Sequence, residues 1–173
     1  RVLSAVRAPE KFHARFNATG KQYRYFVWNH HAMNPLLRGR AWHVPRKLDF
    51  AKMRAAAKLF VGKHDFKSFA ATHKYEVDST VRTLTRCDLK KSGANLTVII
   101  EGDGFLYKMC RGIAGTIVQV GFGKFSPGDI KTMLAKTDRT AAGMSAPAHG
   151  LVLWKVFYQP QRRRAHREKS FKS

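Results

Sequence analysis

A chain of 173 residues can bury one ordinary core but not several, and at 44% apolar and 12% aromatic it is a folded protein, not a disordered basic tail. Its 33 Lys and Arg against 11 Asp and Glu leave a formal charge of +22, a self-repulsion that disfavours a compact state unless a polyanion is the working partner. Nucleic acid is the favoured partner, ahead of an anionic membrane surface or the acidic remainder of an assembly; no stretch approaches the roughly 20 apolar residues of a membrane helix.

In chain order, RVLSAV (1–6) begins without a methionine and already looks like a strand, as expected of a chain cut within a domain. No secretory signal is visible. After Pro9 comes FHARFNATG, then KQYRYFVWN (21–29), whose aromatics predict a strand. A loop follows, punctuated by Pro35, Gly39 and Pro45. Asp49 is placed to cap a helix in which Phe50, Met53, Ala57 and Phe60 recur at helical spacing, with Gly62 as its stop. HDFKSF (64–69) reads as a turn-rich link. VRTLTRCDLKK (81–91) and ANLTVIIEG (94–102) predict a hairpin closed through Ser92 and Gly93.

The apolar run FLYKMCRGIAGTIVQVG (105–121) predicts a helix, and SPGDIKTMLAK (126–136) a second, with Ser126 as cap and Pro127 at its first position. GLVLWKVFY (150–158) predicts a last strand. The pattern defines an α+β fold, with helices packed on one face of a mainly antiparallel sheet. It forms one domain over 1–158, and the basic residues 159–173 form a tail expected to be disordered. That tail does not account for the charge, because residues 162–173 supply only +5.

The signatures of the common catalytic sites are absent: no HExxH, P-loop, GxGxxG after a strand or GxSxG. Cys87 and Cys110 form no CxxC pair and read as buried reduced thiols, which points to a reducing, intracellular setting. The eight histidines are scattered, and the adjacent pair His30 and His31 does not converge on one face, so no metal site is expected.

On a helical wheel of 105–121, Phe105, Leu106, Met109, Cys110, Ile113, Ile117 and Val120 share a broad core stripe. Arg111 falls opposite them with Lys108, Gly112, Gly115 and Gln119. One reading is an arginine facing solvent. The other starts from the glycines, each costing about 1 kcal/mol relative to alanine inside a helix. Their missing side chains would let a second backbone or a substrate approach, with Arg111 at the floor of a cleft. In KQYRYFVWN, Tyr23 and Tyr25 share one face and Arg24 and Phe26 the other. Core packing and base stacking beside phosphates are both open for that strand.

Taken in order, FHARF, TGKQYRY, GRAWHVP, HDFKSF, FLYKMCRGIAGTIVQVG and DRTAAGMSAPAHGLVL resemble the TruA family of tRNA pseudouridine synthases across almost all of residues 9–158. The resemblance implies a pseudouridine-synthase-like fold and isomerisation of uridine to pseudouridine in the tRNA anticodon stem-loop, without metal or organic cofactor. The target base would be flipped out of its stack, at a cost of a few kcal/mol. An aspartate would attack the nucleotide, the glycosidic bond would break, and C5 of the turned uracil would rejoin the ribose. Tyr23 matches the family tyrosine that lies against the base. Arg111 matches the arginine that pairs with the catalytic carboxylate, a bidentate task suited to guanidinium. Arg15, Arg24 and Lys108 are the candidates for RNA contact. A homodimer sharing one tRNA is implied, with the cytoplasm as its compartment and an organelle as the alternative.

The chain departs from the family in three places. It has no GRTDAG-type motif, which carries the nucleophile upstream of FHARF in the family. Asp138, in DRTAAG, matches a C-terminal family motif instead and is expected to fix a turn. Gly112 stands where the family has asparagine after the arginine, and Tyr107 and Lys108 replace the preceding histidines. The chain therefore looks like the C-terminal part of such an enzyme, inactive alone. A non-catalytic RNA-binding module is the alternative.

Overall fold

The computed structural model describes residues 2, 5, 7–71 and 78–159. The strand expected in RVLSAV falls largely outside these residues, as does the tail from residue 160 onward. The centre of the fold is the strand β1, Ala18–Trp28. Side chains alternate along it, so Tyr25 and Val27 point inward and are essentially inaccessible, while Arg24 and Phe26 point to the other face. One edge of β1 pairs antiparallel with β5 (Asn95–Gly102), matching Tyr23 with Ile100 and Tyr25 with Val98. Along its other edge lie β6 (Leu151–Tyr158), antiparallel, and the two-residue parallel strand β2 (Trp42–His43). β4 (Val81–Ser92) and the short β3 (Gly62–Asp65) complete a six-stranded sheet in the order β3, β4, β5, β1, with β6 and β2 sharing the last position.

Most expected elements are present, with instructive shifts. β4 and β5 form the hairpin, but Ser92 pairs with Asn95, so the tight turn is Gly93 and Ala94. Gly93 has φ +58°, a backbone that L side chains rarely adopt. Asp49 caps α1 (Phe50–Lys58) by accepting the Lys52 N–H at 3.0 Å, and the helix buries Met53, Ala56 and Ala57. Phe60 lies past the helix end but is equally buried. Gly62 does more than stop the helix, because it opens β3. The link at 64–69 is thus half strand and half 3-10 turn (Lys67–Phe69).

The run 105–121 is not one helix. Lys108 sits at φ +58°, which a right-handed helix cannot contain, and α2 spans Met109–Gly121. α3 is likewise shorter than expected, Asp129–Lys136, with Pro127 and Gly128 in the turn before it. Its start is tied the other way round from the expected Ser126 cap: the Asp129 carboxylate accepts the Ser126 N–H at 2.8 Å.

The core lies between the inward face of the sheet and the helices. It joins Tyr25, Val98 and Ile100 to Met53, Phe60, Phe66, Phe69 and Ile113. α2 is its axis: every residue of this helix except Arg111 is buried. Ile99, on the opposite face, is buried without belonging to that core. β6 pairs with β1 and with no further strand among the described residues, and it leaves Val152, Leu153 and Trp154 exposed. Among the described residues no helix is long and apolar enough to cross a membrane.

Candidate active site

The two interior glycines of α2 explain how its polar side can be buried. A Cβ on Gly112 would overlap the carbonyl oxygen of Phe69, and one on Gly115 would overlap that of Met144. The face expected to admit a second backbone or a substrate is therefore occupied by two segments of the chain itself. This settles the choice left open by the sequence in favour of a second backbone.

One of those segments, residues 143–147, carries Arg111 into its place. The Ala146 N–H donates to the Arg111 carbonyl at 3.0 Å, and the Arg111 Nε–H donates to the Ala146 carbonyl at 2.7 Å. The fully buried Tyr25 donates its hydroxyl to the Pro147 carbonyl at 2.7 Å. Burial pushes the Tyr25 phenol far above its ordinary range, opposed by the charge of Arg111, so Tyr25 is a permanent donor here.

Tyr23 lies two residues earlier on the same face, half-buried, with its ring edge-on to Phe105 at 5.0 Å between centroids. Its phenol is raised first by burial and then by Cys110, the residue before Arg111. Tyr23 and Tyr25 thus lie beneath the first turn of α2. Lys108 stands at the same helix end, its ammonium 5.1 Å from the Tyr107 ring centroid.

The arrangement is electrostatically lopsided. A helix N-terminus favours anions, and the first turn of α2 holds no acid but does hold Arg111. The ion pairs among the described residues are Lys52 with Asp49 and Arg86 with Asp88, so no carboxylate there pairs with Arg111. With Nε bound to Ala146, neither Nη group has a partner among the described residues, and together they can take a bidentate anion.

The other expected contacts lie elsewhere. Arg24 is on the opposite face, its guanidinium 3.8 Å from the Trp154 ring centroid and its Nε–H donating to Gln22 at 3.1 Å. Gln22 in turn donates to Glu101 at 2.7 Å. Arg15 belongs to the turn before β1, over the Phe16 ring. Asp138 accepts the Thr140 N–H at 2.9 Å, and hydrogen bonds from the Thr140 hydroxyl and backbone hold its carboxyl below the ordinary value. It fixes a turn, as expected.

Both thiols are buried and pushed well above the ordinary cysteine range, mainly by that burial, which leaves them poor nucleophiles. Among the described residues no group of three or more His, Cys, Asp or Glu is placed to hold a metal ion. A shallow cavity lined by Thr19, Thr83, Thr85, Glu101, Asp103 and Phe157 contains none of the candidate residues. Sequence reasoning missed Tyr25, Ala146 and Pro147 as parts of the site. The signal was present in the small residues GMSAPAHG, which suit close backbone approach, but no spacing rule links them to Arg111.

Comparison with known proteins places the chain in one class. The profile of the tRNA pseudouridine synthases matches residues 56–159, so the chain belongs to that family. It is 48% identical to a protein of Bacillus licheniformis named tRNA pseudouridine synthase A, over 91% of this chain and 63% of that protein. Similar proteins of the same name occur in Bacillus subtilis, 46% identical over 91% of this chain, and in Methylacidiphilum infernorum, 40% identical over 92%. The chain spans somewhat less than two-thirds of the length of these relatives, 63% in each case.

Proposed function

We propose that this chain supplies the base-stacking and carboxylate-orienting side of the active site of a tRNA pseudouridine synthase. Its substrate would be uridine in the anticodon stem-loop. One observation carries the reading: Arg111, in the first turn of α2, is tied through Nε to the Ala146 carbonyl and forms no ion pair with a carboxylate of the described residues. The nucleophilic aspartate then comes from a segment outside these 173 residues, in keeping with the greater length of the relatives.

In this reading the flipped uracil lies against Tyr23, which burial keeps as a neutral phenol. Arg111 holds the attacking carboxylate ionised and oriented. The N1–C1′ bond breaks, the uracil turns, and a C5–C1′ bond forms; C5 gives up its hydrogen to solvent and N1 takes up a proton in its place. The chain itself needs no metal or organic cofactor for these roles. Lys108 contributes phosphate contact beside the pocket. Arg15 and Arg24 would contact RNA only away from it, Arg24 on the far face of the sheet. A homodimer in the cytoplasm, sharing one tRNA, completes the proposal.

The test is tritium release from tRNA labelled at C5 of uridine. The 173-residue chain alone should bind tRNA and release no tritium. Clear release by the chain alone would refute the claim that its nucleophile lies elsewhere. The expected charge-driven binding without chemistry is also what the alternative, a pure RNA-binding module, would give. Turnover by the protein at its natural length separates the two.

A further inference from the structure

Arg111 is held by a piece of chain whose own anchoring is unusually complete. Residues 143–147 lie along the glycine side of α2, and each anchor comes from a different position. The Gly143 N–H donates to the Thr116 hydroxyl at 3.1 Å, and that hydroxyl donates to the Gly112 carbonyl at 2.8 Å. The Met144 N–H donates to the Gln119 side-chain oxygen at 2.9 Å. From the other side, Arg139 donates to the Gly143 carbonyl at 2.9 Å and to the Ser145 hydroxyl at 3.1 Å. Tyr25 fastens Pro147 from the sheet. Thr116, Gln119 and Tyr25 are all buried, and every buried side-chain polar atom among the described residues has a partner. Such a network holds its members to one arrangement.

The one residue of the segment that touches Arg111 through both backbone groups is Ala146. A guanidinium offers two bidentate edges to a carboxylate, Nε with one Nη or the two Nη together. The Ala146 carbonyl occupies Nε at 2.7 Å and so closes the first edge.

We infer that residues 143–147 are a positioning strap. Tyr25, Thr116 and Gln119 clamp it to α2 and β1, and its Ala146 carbonyl fixes Arg111 so that only the Nη1/Nη2 edge receives the catalytic carboxylate. The inference rests on the reading of Arg111 as the carboxylate's partner. Tyr25 and Gln119 are positioning residues that touch no substrate; they act through the strap on the one side chain that does.

Two variants test this in the protein at its natural length: Tyr25→Phe, which deletes the hydroxyl donor to Pro147, and Gln119→Met, which deletes the acceptor for Met144 with little change in volume. Turnover is read by tritium release, and the hydrogen exchange of the Arg111 Nε–H is read by nitrogen-resolved NMR. In both variants kcat should fall about 10- to 100-fold, as small displacements of an orienting group do, while KM for tRNA stays within about twofold. Exchange at Arg111 Nε should quicken at least about tenfold as the strap loosens. Unchanged exchange in both variants overturns the inference whatever happens to kcat, and so does faster exchange with wild-type kcat. Arg111→Lys is the separate arm. Wild-type turnover by that variant removes Arg111 from catalysis and ends the underlying reading, while the exchange data still report on the strap.

Discussion

Replacing Gly115 by alanine puts the packing of α2 to a test of sign. On a helix face turned to solvent, the change should stabilise the protein by about 1 kcal/mol, the difference in helix propensity. Here the added Cβ would overlap the Met144 carbonyl oxygen and lie 2.9 Å from the Ala146 nitrogen, both backbone atoms. The strap must move, an overpacking penalty of about 1–3 kcal/mol. That movement strains the bonds from Met144 to Gln119 and from Ala146 to Arg111, each contributing about 1 kcal/mol. Less the propensity gain, the net loss is about 2–4 kcal/mol, roughly 5–15 °C in Tm for a chain of this size. Urea and thermal unfolding followed by circular dichroism measure it. A Gly115→Ala variant as stable as the wild type, or more so, would show that no strap lies against this helix.

Two further outcomes follow from the charges. Burial pushes the Asp88 carboxyl up, but hydrogen bonds from the Arg86 side chain and the Leu89 N–H, with the charges of Arg86 and Arg54, outweigh it and hold it below the ordinary value. The unfolded chain then binds the proton more readily, so the stability from Asp88 is complete above about pH 4 and disappears as pH falls through the folded value. Asp88→Asn should lower stability at neutral pH, with the difference from wild type closing in acid; a difference independent of pH contradicts this. For RNA, affinity should fall steeply with salt, and Lys108→Ala should weaken binding to all tRNA sequences alike while reducing the log–log salt slope by about 1. An unchanged slope would remove Lys108 from the phosphate contacts.

How far the sequence could be read depended on whether the signal was local. The alternation of KQYRYFVWN, the Asp49 cap with its helical stripe, and the hairpin at Gly93 are each contained in about a dozen residues, and each is present in the fold. β3 was not legible, because Gly62, Lys63, His64 and Asp65 carry no strand pattern and are extended only by pairing with β4. The helical wheel was correct about the inward stripe of α2 but failed over 105–108, where Lys108 turns left-handed. It also could not say what the glycines face. Phe69 and Met144, the backbones that fill that side, stand more than 20 residues away in the chain on either side of α2. Arg111 stood out on the helical wheel and Tyr23 in the strand alternation, and the resemblance gave each its expected role. The groups that hold Arg111 were missed because a backbone carbonyl such as that of Ala146 leaves no mark in a sequence.

The central claim is that Arg111 orients a catalytic carboxylate and does not merely attract RNA. Arg111→Lys retains the positive charge but lacks the planar bidentate edge. In the protein at its natural length, this variant should bind tRNA within about threefold of wild type, since charge dominates affinity, and release no measurable tritium from C5-labelled tRNA. Tritium release at the wild-type rate would contradict the account.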